Sequence, residues 1–168
     1  MVRHLPGVGT AGRSARPRRD PRKHRARNRR GSRPVIVGLD TSVLLRLLCG
    51  EPEELAVVAL RYLRERQRAG DRVLLSDWVL AETYYALQHH YGSSKKDALR
   101  ALRALLASPG IEGSADAVEI LATARLESAR PGFVDRLIHA DYCRSAVDEM
   151  ASFERAAARL PAVRVLGR

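Results

Sequence analysis

Residues 35–48, VIVGLDTSVLLRLL, decide how the chain is read. VIVGL is a short apolar, β-branched run that stops at Asp40, and it reads as a buried first strand. TSVLLRLL then places its apolar residues at helical spacing, so strand gives way to helix across an acidic residue. Two other stretches repeat this handover. VLLSDWVLAETYYAL (73–87) carries Glu82 about one turn into its helix, and GFVDRLIHADY (132–142) carries Asp135 in a first helical turn. MASFERAAARLP (150–161) offers a fourth acid, Glu154. Parallel α/β sheets bind ligands outside the carboxyl ends of their strands. Acids at several such ends can therefore meet in one cleft although they are far apart in sequence.

The remaining segments fit the same alternation. Pro52, with Glu51, Glu53 and Glu54, marks a helix start where the dipole favours negative charge. Leu55, Val58, Ala59, Tyr62 and Leu63 recur at helical period, Arg61, Arg64 and Arg68 face out, and Gly70 stops the helix. Val73–Ser76 is the second strand, and Asp77 can cap the helix that carries Glu82 to near Gly92. Ser94 and Asp97 resemble a capping box for a helix with Leu99, Leu102, Leu105 and Leu106 on one face, broken by Ser108-Pro109-Gly110. Ile111–Gly113 reads as a very short strand, 115–129 and 134–146 as helices, and Met150–Phe153 as a strand. Glu154–Leu160 reads as a short helix and Val163–Leu166 as a last strand. Strands alternating with helices predict a three-layer α/β/α sandwich with a short, mostly parallel central sheet. Asp40 is expected at the end of its central strand.

The bulk numbers fit one domain plus a tail. Of 168 residues, 30 are Lys or Arg and 19 are Asp or Glu, a formal charge of +11. Residues 1–34 hold 12 of the basic residues and one acid, Asp20, so the other 134 balance at 18 of each sign. The high charge thus describes a basic, Arg-, Gly- and Pro-rich tail, read as disordered, and leaves the domain at 35–168 neutral. The tail is an arm for nucleic-acid phosphates, a solvated extension, or an artefact of a start codon chosen too far upstream. Cys49 and Cys143 give neither metal spacing nor a disulfide framework, which fits a reducing cytoplasm. No apolar run approaches a membrane span, and the N-terminus lacks the apolar core of a secretory signal.

Gathered carboxylates repel one another unless a cation neutralises them, so the acidic pattern predicts a bound metal. Mg²⁺ or Mn²⁺ takes oxygen ligands and needs only one or two direct carboxylates. Such ions activate water and stabilise the leaving oxygen in phosphodiester hydrolysis. Asp40 and Asp135 are the expected direct ligands, Glu82 reaches back over one helical turn, and Glu154 completes the rim through water. Each has a plainer alternative: Asp40 as a helix N-cap, Asp135 as a dipole-favoured first-turn acid, Glu154 as a solvated helix start. Arg136 is either a phosphate contact or a solvated arginine. Asp141 is rotated about 240° from Asp135 on an ideal helix and falls outside the metal site, and Asp148 competes weakly with Glu154. His89, His90 and His139 are not spaced as a zinc set. Neither cysteine has a recognisable His partner and no G-x-S-x-G occurs, so no side-chain nucleophile is evident.

VGLDTSVLLRLL, VLAETYYAL, GFVDRLIHADY and SFERAAARLPAVRVL together resemble PIN-domain ribonucleases, most closely the VapC-type toxins of bacterial toxin–antitoxin modules, over about residues 35–168. The resemblance implies Asp40, Glu82 and Asp135 as an acidic triad around Mg²⁺ or Mn²⁺, with Thr41 and Ser152 at small-hydroxyl positions contacting acids, water or substrate. Where the family commonly has Thr-Phe-Asp-Arg, this chain has Ser152-Phe153-Glu154-Arg155, and the extra methylene of Glu154 puts direct coordination there in question. The resemblance further implies an RNA substrate, a homodimer, and a cognate antitoxin whose C-terminal segment covers the site. Two other readings compete: an RNA-binding module whose chemistry has decayed, and an RNA-processing nuclease without an antitoxin.

Overall fold

The computed structural model describes residues 33–167, so the expectation of a disordered arm at 1–34 lies almost wholly outside the described residues. The elements run β1 (Ile36–Gly38), α1 (Thr41–Cys49), α2 (Glu53–Arg68), β2 (Arg72–Leu74), α3 (Asp77–His89), α4 (Lys95–Leu106), β3 (Ile111–Glu112), α5 (Ala115–Ala122), α6 (Phe133–Arg144), β4 (Met150–Ser152) and β5 (Val163–Val165), with a 3₁₀ turn over Arg155–Arg159 before β5. The architecture is α/β, six helices with a short parallel sheet, as the alternation predicts. Strand order is β1-β2-β3, with Val37 opposite Val73 and Val73 opposite Ile111.

Two expectations about the sheet need correction. The central strand is β2, not the one that leads to Asp40, and β1 is an edge strand rather than a buried one. β1 pairs only with β2, so Ile36 stays 61% exposed while Val73 is fully buried. From Asp71 to Leu75 burial alternates in and out along the strand, so one sheet face packs on helices and the other carries Arg72 and Leu74 outward. The last two strands do not extend this sheet. β4 and β5 pair in parallel with each other as a separate ladder, Met150 opposite Val163.

Asp71 fastens the lower end of the sheet. It is buried, its carboxylate accepts the Val35 N–H at 3.1 Å and pairs with Arg66 at 3.1 Å, and so it joins the start of β1 to the end of α2. Above it, Val73, Leu75, Leu80, Leu99, Leu102, Leu121, Leu126 and Phe133 form one continuous core. α4 enters that core because Leu99, Leu102 and Leu105 share a face.

Helix ends follow local chemistry. Gly50 closes α1 in the left-handed region (φ 76°), donating its N–H to the Arg46 carbonyl. Ser94 caps α4 by accepting from the Asp97 N–H at 3.1 Å, as read from sequence. For α3 the cap is Ser76, not Asp77: Ser76 has the extended backbone of a cap and accepts from the Val79 N–H, leaving Asp77 as the first helical residue. The helix expected over 115–129 stops at Ala122. Arg103 of α4 donates to the Leu121 and Thr123 carbonyls, which therefore need no further helical turn.

Thr83 is fully buried next to Glu82, and its hydroxyl has no partner among the described residues. Thr83→Val keeps the shape and removes that stranded group. It should raise stability by about 1 kcal/mol, seen as a higher urea midpoint at unchanged slope. A lower midpoint would show that the hydroxyl is satisfied.

Candidate active site

Helix α1 begins two residues beyond β1, and Asp40 stands in the gap. Its carbonyl accepts from the Val43 and Leu44 N–H groups at 3.0 and 3.1 Å, so its backbone starts the helix. Its side chain makes no capping bond. It accepts instead from the Ser42 hydroxyl at 2.9 Å and is otherwise exposed. That hydroxyl, helped by the Thr41 and Ser42 amides, holds the Asp40 carboxyl below the usual aspartate range, against a smaller opposing effect of burial. At neutral pH Asp40 is an exposed anion.

Thr41, the next residue, is buried and turned inward. Its hydroxyl donates to Glu82 Oε2. This one bond joins the start of α1 to the second turn of α3 and fixes one oxygen of an otherwise exposed carboxylate. Asp135 approaches α3 by another route. Phe133 packs edge-on against Tyr84 with ring centroids 5.3 Å apart, which lays the first turn of α6 along α3. The hydroxyls of Tyr84 and Tyr85 are pushed up mainly by burial, and the Asp135 charge adds to it.

Asp135 also does the plainer job foreseen for it, since its Oδ2 accepts the Gly132 N–H at 2.9 Å at the start of α6. Arg136 is half-buried and donates Nε to the Pro131 carbonyl at 3.0 Å. Glu154 lies on the β4–β5 unit, exposed, and its N–H donates to Ser152 Oγ at 3.0 Å. The Ser152 hydroxyl thus contacts the backbone of Glu154 within its own turn, not a carboxylate.

The structure therefore brings Asp40, Thr41, Ser42 and Glu82 together, sets Asp135 on the neighbouring helix, and leaves Glu154 and Ser152 on the separate ladder. Among the described residues no three His, Cys, Asp or Glu side chains form a ready-made metal cluster. A hard divalent cation does not require one, because one or two carboxylates and water suffice. The donors present fit such an ion. They are oxygen only, and none of Asp40, Glu82, Asp135 and Glu154 has a cationic partner among the described residues. Asp71, Asp77, Asp97, Asp116, Asp141 and Glu112, by contrast, all lie in ion pairs with arginine.

His139 is buried and bonds through Nε2 to the Pro161 carbonyl at 2.8 Å, and Cys143 Sγ lies 3.7 Å from the same nitrogen, so the expectation that neither cysteine has a His partner is corrected. Sequence reasoning missed Arg144. It pairs with Asp77 at 2.9 Å, with Asp141 at 3.0 Å and with Asp116. It also missed Trp78, 74% exposed one turn before Glu82. The signal available for Trp78 was a large aromatic in the first helical turn, directly after the polar Ser76 and Asp77.

Because the folded Asp40 carboxyl titrates below its unfolded value, the Ser42 bond contributes at neutral pH and is lost as pH falls through the acid range. Ser42→Ala should move the Asp40 titration upward, towards that of a free aspartate, when followed by carboxyl-carbon NMR. An unchanged titration would mean that the hydroxyl does not stabilise the anion.

A model of the PIN domain matches residues 37–161, most of the chain and every element from the end of β1 to the approach to β5. None of the curated proteins and none of the solved structures compared with the chain matches it. Asp40 stands at a strand-to-helix handover and Glu82 in the second turn of the helix after β2, whereas α6 with Asp135 follows α5 and a turn, not a strand as the sequence suggested. A family model that spans 37–161 means that the chain belongs to the PIN domain family, whose members are generally nucleases.

Proposed function

We propose that this PIN domain is a metal-dependent endoribonuclease acting as the toxin of a toxin–antitoxin pair. The observation that supports the nuclease reading is that Asp40 and Glu82 are two exposed carboxylates without cationic partners among the described residues, held by the hydroxyls of Ser42 and Thr41 at the start of the same helix. Asp40 and Asp135 would hold Mg²⁺ or Mn²⁺, and Glu154, one methylene longer than aspartate, would act at the rim through water. A divalent ion bound there supplies an activated water and charge neutralisation at the phosphodiester. The protein's own part is geometric and protic. Thr41 engages Oε2 of Glu82 and leaves Oε1 to accept a proton from the attacking water. Arg136, with Nε tied to Pro131, would direct its outer nitrogens to an RNA phosphate, and Ser152 would support Glu154. Attack in line leaves a 5′-phosphate and a 3′-hydroxyl.

Regulation by an antitoxin is supported by an open groove between α1 and α2 that begins at Asp40. Val43, Leu55, Val58 and Tyr62 line it, and Leu55 and Val58 are half-exposed. An apolar C-terminal segment of the antitoxin laid there would also cover Asp40. The homodimer usual in the family belongs to the same proposal. Two free cysteines fit a cytoplasmic location, and no helix among the described residues is long and apolar enough to cross a membrane.

RNA cleavage should require Mg²⁺ or Mn²⁺ and fall by roughly a hundred-fold or more in Asp40→Asn, Glu82→Gln and Asp135→Asn, with unchanged thermal midpoints. Thr41→Val should cost about ten- to a hundred-fold, the range for residues that orient a metal site's ligands. Full metal-dependent cleavage by Asp40→Asn would sink the nuclease reading. Salt-sensitive RNA binding with no cleavage under any divalent ion would favour the second reading, a decayed binding module, which the separation of Glu154 from the other acids also favours.

A further inference from the structure

Helices α3 and α6, which carry Glu82 and Asp135, also wall a cleft of about 510 Å³. Its apolar surfaces are Trp78, Val134, Leu137, Ile138 and Tyr142. Trp78 is the chain's one tryptophan, and tryptophan is a residue most often well covered in folded proteins. Here the indole is 74% exposed and lies four residues before Glu82, hence on the same helix face one turn away. We infer that Trp78 is a stacking platform for an RNA base next to the cleavage site, an inference that rests on the RNA-nuclease reading given above.

The apolar walls and the charge of the cleft favour a base over a phosphate. The polar end of the cleft holds Asp77, Asp141 and Arg144, and Arg144 is already bound to Asp77, Asp116 and Asp141. Of these, Asp77 and Asp141 against Arg144 leave the cleft's own charged residues at a net of −1, which disfavours a phosphate inside the cleft. A neutral, flat base is not repelled. It can stack on the indole face while its phosphates run outside, past Arg136 and the acids. A second copy of the chain closing over the same cleft would desolvate that uncompensated cluster, which is costly. Stacking is indifferent to base identity because every base presents a π face. Trp78 would therefore hold the strand in place near Glu82 without dictating sequence.

The test uses the full chain bearing Asp40→Asn, without divalent ions, so that binding is read apart from cleavage. Tryptophan fluorescence reports Trp78 alone. A short single-stranded RNA should quench it, and an abasic strand of equal length should not. Fluorescence anisotropy of labelled RNA should show about ten-fold weaker binding for Trp78→Ala and near-normal binding for Trp78→Phe, which keeps a stacking ring. RNA binding that leaves the fluorescence unchanged, or equal quenching by the abasic strand, overturns the stacking role and leaves the nuclease reading standing. A fluorescence shift that follows protein concentration in the absence of RNA assigns the face to a second copy and also overturns it. Failure to bind RNA at all overturns the stacking role, while the nuclease reading is judged by cleavage with Mg²⁺ or Mn²⁺.

Discussion

Parallel strands cannot be joined by a tight turn, so each must be followed by a crossover that returns the chain to the starting edge. The placement of Asp40 and of the helix that carries Glu82 follows from that constraint. Three strands of two or three residues each, paired in parallel, send their following segments out of one end of the sheet. Asp40 and Ser76 both stand where a strand has just ended and a helix begins. The contacts that set the acids are then short-range consequences: a threonine reaching from α1 to Glu82, and a phenylalanine resting on Tyr84 to place Asp135.

Charge is distributed with a clear division of labour. Carboxylates that serve the fold are matched with arginine, as Asp71 is with Arg66 beneath the sheet, Glu112 with Arg72 across it, and three aspartates with Arg144 at the end of α6. Three of the four acids of the candidate site are supplied with hydroxyls or amides instead: Ser42 for Asp40, Thr41 for Glu82, the Gly132 amide for Asp135. A hydroxyl orients a carboxylate without cancelling its charge, which leaves it able to attract a cation.

Much of this was legible before any coordinates. The strand-to-helix passage at Asp40, the positions of Glu82 and Asp135, and the Ser94 cap are local patterns, and local patterns survive folding. What stayed hidden depends on partners distant in sequence. VIVGL reads the same whether a strand is central or at an edge, because its neighbours are chosen by pairing and not by composition. The alternation over 71–75 was masked by an exposed leucine, Leu74. The early end of α5 depends on Arg103 reaching from α4, and no feature of residues 115–129 announces it. Ser76 and Asp77 are both good caps, and only backbone conformation separates them. The isolation of β4 and β5 follows from which edges meet, which apolar periodicity does not encode.

That isolation gives the two parts of the candidate site unequal permanence. A two-stranded ladder has little independent stability, and this one is bordered by Ala146 and Ala162, both in the left-handed region that disfavours a β-carbon. Local opening draws on such weak units long before the whole domain unravels. The backbone amides of 150–152 and 163–165 would then exchange with solvent hydrogen far sooner than those of β2. The corner bearing Ser152 and Glu154 could come and go on its own clock, while Asp40, Glu82 and Asp135 stay in place.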